Sequence, residues 1–286
     1  MISPIDFIVS PLNYAFMVRG LLAALMVGVV CATVGTYVVL RGMAFFGDAL
    51  AHSILPGIAV GYLVGGGAQA SLFWWGLVTA IAASIGIGTI SRGAKIREDT
   101  AIGIVFAGMF ATGIALISTV RSYTVDLTHF LFGDILGVSV ADLRLILIFG
   151  ALIIAAVILF YKEFLVLSFD PLLADTLRLP SRLLEYLLLT LIAVAIVVSL
   201  QTVGVALMVA MLVTPAAAAY LLTRRLPVMM LLAALIASLS GVIGLYVSYY
   251  ASVASGAAIV LTCTFFFALA WIARTLQRAL YQAERI

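Results

Sequence analysis

Long uncharged segments, separated by short clusters of charge, dominate the sequence. A helix needs about 20 apolar residues to cross the hydrocarbon core of a bilayer. The segments without Asp, Glu, Lys or Arg that reach or approach this length cover residues 20–40, 49–91, 100–120, 145–161, 186–223 and 226–273. Three of them can hold two helices each, with turns expected at 65–67, 201–204 and 249–256. The pattern predicts nine membrane spans, or eight if the segment that carries Asp48 enters the bilayer without crossing it.

Composition supports this pattern and narrows the class of protein. Hydrophobic residues make up 65% of the 286 residues and charged residues 9%, against roughly 45–50% and about 25% in soluble domains. We therefore expect an all-α, polytopic helical bundle that forms a single transmembrane domain over residues 1–286, in contact with membrane lipid. No water-soluble segment is long enough to bind a nucleotide or a nucleic acid, so we expect no nucleic-acid partner.

The basic residues predict the orientation of the bundle. With nine spans, the joints between them alternate between the two sides of the membrane. One side collects twelve of the 15 Lys and Arg residues, at Arg41, Arg92, Lys95, Arg97, Lys162, Arg178, Arg182, Arg224, Arg225, Arg274, Arg278 and Arg285. The other side has Arg121 and Arg144. Because cytoplasmic loops are rich in Lys and Arg, the first side is predicted to be cytoplasmic and to include the C-terminus, whereas Arg19 argues mildly against an external N-terminus.

Asp48 and His52 are the candidate metal ligands. His52 is one of two histidines in the chain, and the spacing of four residues places both side chains on one face of a helix, about 5–6 Å apart at Cβ. A carboxylate and an imidazole together suit Mn, Fe or Zn, and ionisable groups at membrane depth often mark an ion or proton path. A pair at the membrane boundary, hydrogen-bonded to a neighbouring helix, would give the same pattern.

Two joints are longer than a turn requires. The external joint at 121–142 mixes aromatic, apolar and acidic residues, and could form a docking surface, a mouth for cations or an interfacial helix. The internal joint at 162–185 predicts a short helix that is capped by Asp170, has Pro171 at its first position and ends at Leu179-Pro180. An amphipathic helix between two spans packs either on a partner protein or on the lipid surface.

Small residues and a proline mark two further spans. Glycine and alanine recur along residues 103–113 and 216–219, which allows helices to approach closely. Thr214-Pro215 within a span predicts a kink whose freed carbonyl groups could face a pathway. An ordinary packing kink explains the same dipeptide.

Three stretches resemble the permease subunits of manganese, zinc and iron ABC importers. Residues 38–57, with Asp48 and His52, are similar to the opening signature of that family, although Ala51 stands where a small hydroxyl residue is expected. The Leu-Phe-Gly-Asp-Ile-Leu core of residues 129–139 resembles a second signature. A third comprises residues 200–204 and 212–217. The resemblance extends over essentially the whole chain.

The resemblance implies a function and a set of partners. Such permeases, with a type II ABC importer-like fold, form a homodimer or pair with a paralogue, bind two cytoplasmic ATPase subunits and receive metal from an extracytoplasmic metal-binding protein. The chain would then be no enzyme but the subunit that carries Mn²⁺, Zn²⁺ or Fe²⁺, with manganese or zinc favoured, across the plasma membrane of a prokaryote. No cofactor is expected to remain bound. Asp48 and His52 would belong to an intramembrane gate that alternates between the two sides.

The resemblance also implies a coupling element. In this family a cytoplasmic helix fits a groove of the ATPase, and residues 169–180, with Phe169, Asp170, Pro171 and Ala174, occupy the corresponding position. The alternative is an ion-gradient-driven metal or proton carrier in which Asp48 and His52 relay protons. Dependence on an ATPase distinguishes the two.

Overall fold

The computed structural model describes residues 9–66, 68–119 and 135–283 of the chain, and its regular elements are helices. We number the helices in chain order as α1 (Ala15–Leu40), α2 (Phe46–Ser53), α3 (Leu55–Gly65), α4 (Gln69–Ala94), α5 (Glu98–Ser118), α6 (Val140–Leu159), α7 (Tyr161–Phe169), α8 (Pro171–Thr176), α9 (Ser181–Val203), α10 (Val205–Leu222), α11 (Leu226–Ala251) and α12 (Ser255–Ala283).

Within these described residues, nine helical segments are long and apolar enough to cross a membrane. The predicted all-α bundle of nine spans is therefore confirmed. The segment with Asp48 counts as one span, Phe46–Gly65, but consists of the two short helices α2 and α3. Helix α6 begins five residues before the uncharged segment does, because Ser139 and Asp142 form a capping box: the Asp142 amide donates to Ser139 Oγ, and the Ser139 amide to Asp142 Oδ2.

Helix α9 forms the centre of the bundle. In its most apolar stretch 78% of the residues are buried, against 17% in α5, and it packs against α1, α2, α4 and α6. Gly204 alone joins α9 to α10, with φ 79°, a backbone conformation that favours glycine. A second glycine, Gly35 of α1, allows α1 and α10 to touch, because a Cβ added there would overlap the carbonyl oxygen of Leu212.

Contacts between the joints show which of them lie at the same end of the bundle. Arg41, Arg92, Glu98 and Glu185, from three joints that the charge pattern assigned to one side, form a connected set of ion pairs. At the other end, the ring of Tyr14 before α1 lies 6.1 Å from the ring of Tyr249 in the last turn of α11. The grouping of these joints agrees with the predicted alternation.

The internal joint differs in detail from its predicted form. Asp170 accepts a hydrogen bond from the Leu173 amide at 3.0 Å, as expected for a cap, and α8 starts at Pro171. However, α8 ends at Thr176, so the predicted range 169–180 is longer than the helix, and Phe169 is the last residue of α7. The left-handed backbone of Arg178 (φ 55°) ends α8 before Leu179-Pro180, because it directs the Leu179 amide back to the Ala174 carbonyl.

Candidate metal site

Asp48 and His52 lie on the short helix α2, and their side chains face each other. His52 Nε2 is 3.8 Å from Asp48 Oδ1, which is the arrangement that the spacing of four residues predicts. The helix ends directly after this pair at Ser53, and α3 begins after Ile54. Pro56, in the first turn of α3, lacks the amide hydrogen that would continue one helix through this point.

The aromatic neighbours of His52 define the depth of the pair in the bundle. Its ring packs edge-on against Phe106 at 6.1 Å and Phe110 at 5.8 Å, both on α5. These residues follow Glu98, the first residue of α5, by 8 and 12 positions, or about 12 and 18 Å at 1.5 Å per residue. The hydrocarbon core is about 30 Å thick. The pair therefore lies beside the middle of α5, away from the end that carries Glu98.

The pair is only partly enclosed by its own chain. The exposed fraction is 40% for the side chain of Asp48 and 27% for that of His52. Among the described residues, no group of three or more His, Cys, Asp or Glu side chains could hold a metal ion. The described part of one chain thus offers a carboxylate and an imidazole on an open face, which is fewer than the four ligands usual for a tightly bound transition metal.

Helix α5 has a row of small residues on its open face. Ala107, Gly108 and Ala111 are exposed, and a Cβ added at Gly103 or Gly108 would contact none of the atoms described. This row lies on the same helix as Phe106 and Phe110, which border His52. The small residues therefore leave room for another helix to approach close to the Asp48–His52 pair.

A second cluster of charges lies at the Glu98 end of α5. Arg41 pairs with Glu98 and, through Nη2 at 3.6 Å, with Glu185, while Arg92 also pairs with Glu185. We call these four residues the ion-pair network; it joins the end of α1, the last turn of α4, and the starts of α5 and α9. The side chains of Glu185 and Arg41 are only 6% and 10% exposed.

A cavity of about 350 Å³ separates the ion-pair network from α8. It is lined by the four network residues together with Ser91, Lys95, Leu167, Asp175 and Ser181. Asp175 belongs to α8 and accepts a hydrogen bond from Ser181 Oγ at the start of α9. The Nη1 atom of Arg41 is buried with no hydrogen-bond partner in the described part of the chain. The short helix and the four spans therefore border one polar space.

Sequence reasoning used Arg41 and Arg92 only to assign the sides of the membrane, and it overlooked Glu98 and Glu185. Glu185 is the one charged residue among the apolar residues at 183–200, close to the start of a span. An acid at that position is costly unless it is paired, so the sequence does predict a cationic partner for Glu185. The cationic partner could not be chosen from the sequence, because it comes from other helices.

Two other predicted features have different outcomes. Pro215 is buried, and α10 continues through Thr214 and Pro215 as one helix from Val205 to Leu222; a pathway role for this dipeptide stays a prediction. Most of the external joint, residues 120–134 with His129, lies outside the described residues. Its described end packs on α1, since a Cβ at Gly20 would lie 3.1 Å from the Ile135 carbonyl oxygen.

Nine helical segments long enough to cross a membrane, an Asp–His pair on a broken span and a capped short helix between two spans mark the described part of the chain as a polytopic membrane protein. The chain belongs to the ABC 3 transport family, whose model matches residues 13–274. The resemblance to metal-type ABC permeases found from the sequence is therefore confirmed.

Relatives of known name cover almost the whole chain. The manganese transport system membrane protein MntC of Listeria monocytogenes is 44% identical over 280 residues, which is 98% of each chain. The chelated iron transport system membrane protein YfeD of Yersinia pestis is 38% identical over 267 residues, 93% of this chain and 88% of that protein. Among solved structures, PsaBC from Streptococcus pneumoniae in complex with Fab matches with a TM-score of 0.79 and 38% identity, over 93% of this chain and 95% of that one.

Proposed function

We propose that the chain is the permease subunit of an ATP-driven importer for a divalent transition metal, with manganese favoured over iron and zinc. The observation that carries this proposal is the Asp48–His52 pair, half-open at mid-depth in a chain of the ABC 3 transport family. Manganese is favoured because a relative named for manganese transport is 44% identical over nearly the full chain, above the 38% of the iron relative.

The gate is proposed to form between two permease chains. A carboxylate at mid-depth is costly if it faces lipid, yet Asp48 is 40% exposed on its own chain. A second copy, packed against the small residues of α5, would cover this face. Two chains would then contribute two oxygens and two nitrogens, enough to replace part of the hydration shell of a passing ion without trapping it.

ATP hydrolysis is proposed to occur in separate cytoplasmic subunits that bind α8. The Lys and Arg distribution supports a cytoplasmic position for α8 and the C-terminus, in the plasma membrane of a prokaryote. Residues Phe169, Asp170, Pro171 and Ala174 are the proposed coupling residues. Asp175 of α8 and the ion-pair network line the same cavity, so a movement of α8 would be transmitted to the spans that carry the network. The gate would thereby open alternately to the two sides of the membrane. An extracytoplasmic metal-binding protein would deliver the ion.

Vesicle transport tests the proposal. The chain is reconstituted with its ATPase and its metal-binding protein, and uptake of radiolabelled manganese is measured with iron and zinc as competitors. We expect uptake of radiolabelled manganese to require ATP. Unlabelled manganese should inhibit this uptake more strongly than iron or zinc does. Uptake that needs no ATPase and follows a proton gradient would contradict the proposal and favour the carrier.

Site-directed labelling tests the sidedness. Single cysteines at Lys95, Lys162 and Arg225 should react only from the cytoplasmic side, and those at Ala68 and Ser252 only from outside. The natural Cys31 and Cys263 are buried and give the background. Reaction of any position from the opposite side would refute the assigned orientation.

A further inference from the structure

A second cavity, of about 320 Å³, lies between the ends of α10 and α12. Among the described residues it is lined by Tyr220, Leu221, Leu222, Thr223, Arg224, Arg225, Arg274 and Arg278. We call these four arginines the arginine cluster. No acidic residue is among the lining residues, and none of the ion pairs in the described part of the chain includes an arginine of this cluster. Because guanidinium groups stay charged at neutral pH, the cavity concentrates positive charge, with no acidic side chain among its described lining residues.

The arginine cluster lies at the depth of the lipid headgroups. Arg274 follows Ser255, the first residue of α12, by 19 positions, or about 28 Å of helix, which is close to the thickness of the hydrocarbon core at about 30 Å. Arg224 and Arg225 follow Leu222, the last residue of α10. The guanidinium groups from both helices therefore converge where the apolar spans end.

The surface beside the cluster is suited to acyl chains. Trp271 lies one turn before Arg274 on the same face of α12, and it is 59% exposed. Tryptophan is typical of the membrane interface. Phe267, one turn before Trp271 on this face, is partly exposed and continues the apolar surface away from the arginines. An amphiphile with an anionic head and an apolar tail would match both parts.

We propose that the arginine cluster binds the phosphate group of an anionic phospholipid. Basic pockets between spans on the cytoplasmic side are suited to such headgroups. Free phosphate has the same charge chemistry, but the depth of the cluster and the apolar surface next to it favour a lipid. The preference for positive charge on the cytoplasmic side explains why arginines occur at this end. It does not explain why four of them line one cavity without an acid.

The site is separate from the proposed coupling element. Helix α8 packs against α7 and α9, whereas α10, α11 and α12 pack against one another. A phosphate between Arg224 and Arg274 would hold the end of α10 against α12. Since α10 also contacts α1 and α2, the bound headgroup would stabilise one position of the helix behind Asp48.

Native mass spectrometry of the delipidated permease–ATPase complex tests the site. The complex is titrated with phosphatidylglycerol, with phosphatidylcholine of the same acyl chains, and with inorganic phosphate. We expect preferential binding of phosphatidylglycerol. In the Arg274→Gln/Arg278→Gln variant, the affinity for this lipid should fall by about 30-fold, at about fivefold per arginine near the membrane surface. The Arg274→Lys/Arg278→Lys variant should retain most of the preference, because it keeps the charge.

The matched control is Lys162→Gln/Arg182→Gln, which removes two exposed positive charges at the same end of the bundle. It should bind phosphatidylglycerol as the unaltered chain does. An equal loss in both glutamine variants would mean diffuse attraction and would overturn the site. Saturable binding of inorganic phosphate without a preference for phosphatidylglycerol would assign the cluster to a soluble anion. If the Arg274→Gln/Arg278→Gln variant lost the ATPase subunit while its lipid binding stayed unchanged, the arginine cluster would be a protein contact. This result, like saturable binding of inorganic phosphate alone, would contradict the proposal.

Discussion

Asp48 and Glu185 are both carboxylates on membrane spans, yet their surroundings are opposite. Glu185 is 6% exposed and pairs with two guanidinium groups, from Arg41 and Arg92. Asp48 is 40% exposed, and among the described residues its ion-pair partner is His52, at 3.8 Å. The described part of the chain thus places two guanidinium groups beside the carboxylate at the end of the bundle and one imidazole beside the carboxylate in the middle.

This difference separates a carboxylate that is buried and paired within the fold from one whose side chain is partly open. A buried carboxylate is tolerated when cations and hydrogen bonds offset its desolvation, and Glu185 meets that condition within one chain. A carboxylate at mid-depth without such a partner is costly. Under the proposed function, a divalent cation shared with a second copy would offset the charge of Asp48.

The first test removes the open pair, and it has the largest expected effect. Asp48→Ala and His52→Ala should each reduce metal uptake to background, by at least the roughly 10–100-fold that loss of an outer-sphere partner costs a metal site. His52→Asn should fail as well, because an amide is a poor ligand for a transition metal. Uptake of radiolabelled metal by reconstituted vesicles measures each effect.

Two comparisons show whether the loss is specific to the gate. Assembly with the ATPase and basal ATP hydrolysis should be retained in every variant, because neither residue belongs to α8, the proposed contact with the ATPase. Asp99→Ala, which removes an exposed carboxylate at the start of α5, should transport normally. Normal transport by the Asp48→Ala/His52→Ala double variant would show that the pair is only structural.

The second test removes the enclosed carboxylate, with a strong effect on stability. Glu185→Ala leaves Arg41 and Arg92 without their shared partner, and breaking a buried pair from one side costs about 3–5 kcal/mol. We expect a clear drop in the thermal unfolding midpoint of the purified protein.

Two control variants distinguish the loss of the buried ion pair in Glu185→Ala from the mere loss of a negative charge. Asp99→Ala removes a nearby exposed carboxylate and should change the midpoint little. Replacing the pair together, as Arg92→Met/Glu185→Leu, should recover much of the stability lost in Glu185→Ala, since apolar residues of similar volume often substitute for a buried pair. A midpoint in Glu185→Ala equal to that of the unaltered chain would remove the distinction between the two carboxylates.

The same contrast explains what could be predicted from the sequence. The spans, the turn at Gly204 and the Asp170 cap depend on residues close in the chain, and they were predicted. The facing of Asp48 and His52 follows from helical spacing alone. The ion-pair network could not be assembled from the sequence, because its members come from four helices. The end of α8 was also missed, since Arg178 adopts a left-handed backbone that is uncommon outside glycine.

The last test concerns Asp170, an exposed carboxylate whose expected contribution is the smallest. Its Oδ1 accepts a hydrogen bond from the Leu173 amide at 3.0 Å, and removing such a cap costs about 0.5–2 kcal/mol of helix stability. Asp170→Ala should therefore loosen the start of α8 and weaken co-purification of the ATPase, while membrane insertion stays normal. Asp170→Ser keeps a capping oxygen without the charge, so it should retain the ATPase if the cap is what matters. Equal loss in both variants would instead indicate that the ATPase contacts the carboxylate directly, and unchanged co-purification in both would remove α8 as the coupling element.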